Sequence, residues 1–514
     1  LLAAAAGHSA TAPTAELDTG RVVGVQQGNV AVFRGIPYAA PPIGELRWRP
    51  PQLPASWEGD QAADRFSAAC PQDTTLADML GEPLPPLSED CLYLNVWTTA
   101  ASAEARKPVM VWIHGGGLTL GWGHQRGYDG AHLARRGVVL VSINYRLGPL
   151  GFLAHPALSA ESNDGVSGNY GLLDQLAALE WVQRNIDAFG GDPDNVTIFG
   201  ESAGGTSVNA LMASPHADGL FHRAIAQSAW VTPTNFARLE APLPTVASAE
   251  SLGEDWAASV AGDGADLKEL RALSANEILA STDSSYPVAV TIDGWFMPAS
   301  STARFLNGKQ QDVPLMAGTN ADEGTMFLDA LPFATVTAYE TGLGELYGPL
   351  AQEMPKEMLK LYPAGSDSDL VAARNQLITD TWFVQGTQDM LVGHAQLRAP
   401  AYQYVFTRRS QTLPAWGSHH GMEIDYAFGN LRPEAADATD RALSDAMVDY
   451  WVNFATTGDP NGTGLVKWPA YEPATGVYLE LGDQLRTGEY YRAAKLAVLN
   501  ELRAAWMGAV GSDD

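Results

Sequence analysis

The chain has 514 residues, with 31 basic against 59 acidic side chains and a formal charge of −28. With 46 % hydrophobic and 18 % charged residues it is too apolar for intrinsic disorder and long enough to bury a large core. The negative charge would repel the phosphates of nucleic acid and of anionic lipid, and no apolar run reaches the ~18–20 residues of a membrane span.

In chain order, the small apolar run from Leu1 to Ala6 and the Ala10-Thr11-Ala12 site predict the tail of a secretory signal. Residues 1–15 are therefore expected to be a flexible terminus, 16–510 a single domain, and the protein secreted or periplasmic. Cys70 and Cys91 enclose Pro71, Pro83, Pro85 and Pro86. In an exported chain a disulfide is expected there, worth roughly 3 kcal/mol in the loop-entropy account. Apolar runs at 107–114, 137–145, 195–200, 223–228, 313–317 and 401–406 predict buried strands, and Asp192-Pro193-Asp194 predicts a chain break before the third. The spacing of Leu176, Leu179, Trp181 and Ile186 predicts a helix over 172–189. Strand–helix alternation with continuous apolar strands implies α/β architecture, a mostly parallel sheet covered on both faces. The stretches 241–302 and 335–366 break that rhythm and are expected to be helical insertions. A last helix over 491–506 should pack through Leu496, Leu499, Leu502 and Trp506.

Gly200-Glu201-Ser202-Ala203-Gly204 follows a predicted strand and precedes a helix-like run. This is the G-x-S-x-G pattern in the context that makes Ser202 a candidate nucleophile on a strained turn. His114-Gly115-Gly116-Gly117 ends an upstream strand, where three glycines let the backbone approach a substrate oxygen. The amides of Gly116, Gly117 and Ala203 are the candidate oxyanion hole. Chain order Ser, acid, His then restricts the rest. Of ten histidines only His394, His419 and His420 lie beyond the fifth strand, and His394 precedes the sixth. Spacing does not separate His419 from His420. On the acid side, Asp322 and Glu323 stand equally well placed after the fifth strand.

Together these residues resemble the type-B carboxylesterase family, which includes para-nitrobenzyl esterases and cholinesterases. The likeness runs from about Arg34 to Trp468. It is carried by Phe33-Arg-Gly-Ile-Pro-Tyr-Ala-Ala-Pro-Pro42, Ser88-Glu-Asp-Cys-Leu-Tyr-Leu-Asn-Val96, Asn144-Tyr-Arg-Leu147, Phe189-Gly-Gly-Asp-Pro193 and Phe199-Gly-Glu-Ser-Ala-Gly-Gly205. The resemblance implies an α/β-hydrolase fold and hydrolysis of a small carboxylic ester without metal or cofactor. Its D-E-G pattern selects Glu323 as the acid, and its H-G-x-E pattern, here His420-Gly-Met-Glu423, selects His420 as the base. It also implies that Ser228 supports the triad from behind, with Glu201 in a like supporting position, and that Cys70 pairs with Cys91.

The segment between those cysteines contains no aromatic residue, so a cholinesterase-type cation site is not expected. Its acids Asp73, Asp78, Glu82, Glu89 and Asp90 favour short or medium soluble esters, or aryl esters, over long lipids. Leu118, Trp230, Met326 and Phe327 are the expected pocket lining. Two other readings use the same chain: an amidase or carbamate hydrolase on the same residues, and a noncatalytic adhesion module. The second loses ground because serine and histidine are both present. A monomer is expected.

Overall fold

Alternation along the strands decides the architecture. Val109, Val111 and Ile113 enter one apolar cluster, while Met110 and Trp112 enter another. Val139, Val141 and Ile143 oppose Leu140 in the same way, and Leu315 and Ala317 oppose Met316. Successive side chains of a strand point to opposite faces, so strands apolar at every position must be covered on both sides. The computed structural model describes residues 12–232, 235–243, 246–280, 286–347 and 354–510.

The main sheet has 11 strands. In chain order they are β1 (Val25–Gln27), β2 (Val30–Pro37), β3 (Tyr93–Thr98), β4 (Lys107–Ile113), β5 (Val139–Ile143), β6 (Gly191–Glu201), β7 (Arg223–Gln227), β8 (Leu315–Asn320), β9 (Ala401–Phe406), β10 (Tyr478–Leu481) and β11 (Arg486–Gly488). Their spatial order is β11-β10-β9-β8-β7-β6-β4-β5-β3-β2-β1. Pairing is parallel from β5 across to β10 and antiparallel at both edges. Helices α1 (Tyr170–Asn185) and α2 (Ala203–Ala213) cover one face, and α3 (Ala438–Thr457) covers the other through Leu443, Met447, Trp451 and Phe454.

Four expectations need adjustment. The terminus is ordered earlier than residue 16. Thr14 and Ala15 belong to strand Thr14–Leu17, paired antiparallel with Gly20–Val23, because Ala15 is buried in the main core. The signal-like residues 1–11 lie outside the described residues. The predicted break at Asp192-Pro193-Asp194 is an irregularity inside β6, where the register with β4 shifts between Lys107 and Val109. The helix expected over 172–189 spans Tyr170–Asn185 and tightens into a 3₁₀ turn at Ile186–Phe189, closed by left-handed Gly190. Finally, the first insertion carries a short parallel strand pair, Phe236–Arg238 with Val290–Ile292, beside its helices. Asn169 anchors that pair: its amide donates to the Thr291 carbonyl at 2.8 Å and accepts from the Thr291 N–H at 2.9 Å.

The final helix, α4 (Ala493–Val510), buries Leu496 and Leu499 as expected. The Trp506 side chain lies outside the described residues. Nothing in the sequence pattern announced the π-helical segment Thr379–Val384, which brings Trp382 and Phe383 toward the carboxyl ends of the strands.

Candidate active site

The turn between β6 and α2 is a single residue, Ser202, at φ 57° and ψ −122°. Such a backbone costs on the order of 1–3 kcal/mol and persists only where its surroundings enforce it. Here Ser202 N–H donates to the Gln227 carbonyl at 2.9 Å, and the Ser202 carbonyl accepts from Thr206 N–H at 2.8 Å. The flanking glycines are steric necessities. A Cβ on Gly200 would come within 2.6 Å of the Gly204 carbonyl carbon, and one on Gly204 within 2.0 Å of the Ile113 oxygen. Ala203 opens α2, so its amide has no intrahelical partner.

The glycine run packs directly on this turn: a Cβ on Gly115 would sit 3.1 Å from Ser202 Cβ. Gly116, Gly117 and Leu118 all have positive φ, at 108°, 63° and 62°. That path folds the chain into a tight loop in which Thr119 and Leu120 N–H both donate to the Gly116 carbonyl. Among the described residues no hydrogen bond engages the amides of Gly116 or Gly117. His114 is fully buried, stacked on Tyr145 with ring centroids 4.4 Å apart, and burial lowers its pKa to about 4. It is a neutral support for the loop.

The two adjacent pairs left open by spacing separate cleanly in space. Glu323, fully buried, accepts from Ser228 Oγ at 2.6 Å and Asn320 N–H at 2.7 Å, and pairs with His420 Nδ1 at 2.6 Å. Asp322 instead accepts from Ser418 N–H and from the Asn375 amide, both at 3.0 Å. His419 turns its Nδ1 to the His420 carbonyl, and burial lowers its pKa. The other nitrogen of His420, Nε2, faces the serine turn, 3.1 Å from Glu201 Oε1. Burial alone would lower the His420 pKa, but the Glu201 and Glu323 carboxylates outweigh it and push it up to about 9. Burial raises Glu201 to about 8.

Behind the imidazole lies a polar layer that sequence reasoning did not assign. Glu423, also fully buried, accepts from Asn320 Nδ2 at 2.6 Å and Gln227 Nε2 at 3.2 Å, and Gln227 in turn accepts from Trp451 Nε1 at 3.1 Å. Burial raises the Glu423 pKa. The quoted H-G-x-E pattern contained this residue; only its burial beside Asn320 reveals a role.

Of the expected lining, Phe327 is 5.0 Å from the His420 ring and 5.5 Å from Trp382, which meets Trp230 at 5.7 Å. Phe383 lies 4.7 Å from His420. Trp382 and Phe383 therefore complete an aromatic wall with Trp230 and Phe327, and no local motif marked them. Leu118 is buried at the glycine loop, and Met326 is half-buried at the end of the 3₁₀ turn Glu323–Met326. Cys70 and Cys91 form a disulfide.

A serine turn at the carboxyl end of β6, with an acid after β8 and a histidine after β9, is the topology of the α/β-hydrolase fold. Two solved structures share it over nearly the whole chain. A PNB esterase superposes with a TM-score of 0.80 at 32 % identity, covering 97 % of this chain and 100 % of its own. A thermophilic PNB esterase gives 0.83 at 32 %, covering 95 % and 100 %. The chain belongs to the carboxylesterase family, whose model matches residues 11–499. It is 40 % identical to the fumonisin B1 esterase of Sphingopyxis macrogoltabida over 494 residues, 92 % of this chain and 86 % of that one. It is 36 % identical to the para-nitrobenzyl esterase of Bacillus subtilis over 486 residues, 91 % and 94 % of the two chains. The protein is a carboxylic ester hydrolase.

Proposed function

We propose that Ser202, His420 and Glu323 are the catalytic triad of a serine esterase acting on short- to medium-chain or aryl esters through an acyl-enzyme. The observation that carries this reading is the 2.6 Å contact between His420 Nδ1 and buried Glu323, with Nε2 turned toward the serine turn. Nε2 takes the Ser202 proton as Oγ attacks the ester carbonyl, and Glu323 orients and stabilises the imidazolium. The amides of Gly116, Gly117 and Ala203 bind the oxyanion. His420 returns its proton to the leaving alcohol, and water then releases the acyl group by the reverse sequence. Glu201, itself raised by burial, lies 3.1 Å from Nε2, and its carboxylate favours the protonated imidazole, so Nε2 becomes available as the base as pH climbs through the His420 pKa.

The wall of Trp230, Phe327, Trp382 and Phe383 suits an acyl or aryl group of limited length. The Cys70–Cys91 bridge supports a secreted or periplasmic location, where disulfides persist.

An organophosphonate should label Ser202 alone, read by peptide mass spectrometry. Ser202→Ala should lose about 10⁴–10⁶-fold in turnover with its fold intact. Labelling elsewhere in active enzyme rejects the triad. Nitrophenyl esters of increasing acyl length, an anilide, and fumonisin B1, the compound one relative is named for, test the substrate range. Faster cleavage of the anilide than of its ester counterpart would replace the esterase reading by an amidase one.

A further inference from the structure

The glycine loop after β4 has almost no side chains with which to fix its own shape. Its positive-φ residues Gly116, Gly117 and Leu118 are held at the Leu118 carbonyl, which accepts from Gly148 N–H at 2.8 Å, and at the two ends. One end is β4; the other is Gly121, at φ 112°. A Cβ on Gly121 would lie 2.4 Å from His114 Nδ1 and 2.6 Å from the Gly115 carbonyl oxygen, so its backbone closes the loop onto its own start.

What holds Gly121 is a side chain from the disulfide loop. Gln72, 2 % exposed, donates from Nε2 to the Gly121 carbonyl at 2.7 Å and accepts on Oε1 from the Gly121 N–H at 2.7 Å. Nε2 also donates to the Cys70 carbonyl at 3.1 Å. An amide side chain offers one donor and one acceptor side by side, the same pair that a neighbouring strand would offer. The next two residues are gripped as well. Trp122 is buried against Ala69 and Ala77. Gly123 N–H donates to Asn144 Oδ1 at 2.8 Å, and Asn144 Nδ2 reaches the Cys91 carbonyl at 3.2 Å. Both ends of the disulfide loop therefore hold the same three-residue segment.

We propose that Gln72 is a positioning residue of the oxyanion loop, fixing Gly121 and through it the direction in which the Gly116 and Gly117 amides point. This rests on the assignment of those amides as oxyanion donors. Donors are effective only when aimed at the place where charge develops, so a loosened loop should weaken transition-state binding more than substrate binding.

The test compares wild type with Gln72→Met, which keeps length but neither hydrogen bond, and with Gln72→Ala in case methionine does not fit. Turnover of nitrophenyl acetate is expressed per serine titrated by an organophosphonate, so that partial folding does not imitate a loss. Binding of a trifluoromethyl ketone, which forms a tetrahedral oxyanion on serine, is measured beside that of its methyl ketone. The expected result is a kcat lower by about ten- to a hundredfold. KM and methyl-ketone affinity should stay near wild type, and trifluoromethyl-ketone affinity should fall in step with kcat/KM. Wild-type kcat and trifluoromethyl-ketone affinity per titrated site, with only a lower Tm, would overturn the proposal and leave Gln72 a stabilising contact. If wild type itself binds the trifluoromethyl ketone no tighter than the methyl ketone, the oxyanion assignment fails and the proposal falls with it.

Discussion

The two halves of the site are built by opposite means. The serine half is backbone: a residue at φ 57°, glycines whose Cβ atoms would overlap carbonyl groups, and unpaired amides. The histidine half is side chain: Glu323, Ser228, Asn320, His420, Glu423 and Gln227 joined through hydrogen bonds across the ends of β7 and β8 and the segments that follow β7, β8 and β9. Steric exclusion fixes the first half, and polar satisfaction in a low dielectric fixes the second. Substitutions should therefore fail differently: in the serine half by strain, in the histidine half by unpairing a buried charge.

The largest contrast expected within the histidine half is between neighbours. His420→Ala should cost about 10⁴–10⁶-fold in kcat, and His419→Ala far less, measured on one nitrophenyl ester with folding checked by circular dichroism. A dead His419 variant beside an active His420 variant would invert the assignment. Next in size, Glu323→Gln should lower kcat by about 10³–10⁴-fold, because an amide facing Nδ1 favours the wrong tautomer. Asp322→Asn should chiefly lower Tm, since its carboxylate holds Ser418 and Asn375 rather than an imidazole. Equal losses in kcat would mean that both acids orient the base.

The smallest effect is a displacement in pH. A neutral imidazole is needed to take the serine proton, so kcat/KM rises as pH climbs through the His420 pKa. The Glu201 carboxylate helps to raise that pKa, and Glu201→Gln should move the acid limb to lower pH. An unmoved limb would show that Glu201 does not act on His420 electrostatically.

Legibility followed the same division. The serine turn and the glycine loop are contiguous in sequence and glycine is forced at fixed offsets, so Ser202, Gly116, Gly117 and Ala203 stood out from the pattern. The acid and base were narrowed by chain order to two pairs, and the family resemblance selected Glu323 and His420. The geometry separates those pairs because only one member of each reaches the other.

The sequence by itself determined the α/β class, the alternating strands that place core on both sheet faces and the glycine-flanked turn at Ser202, because each follows from local spacing or steric need; the expected Cys70–Cys91 bridge rested instead on the export reading and the resemblance. Only the tertiary structure decided which groups meet across long separations. From the π-helical segment, Phe383 reaches the imidazole and Trp382 reaches Phe327 and Trp230. Glu423 and Asn320 share a buried hydrogen bond at a sequence separation of 103, and Gln72 and Gly121 share theirs at a separation of 49. A buried polar atom takes whichever partner the packed fold brings within about 3 Å, and no local pattern encodes that partner.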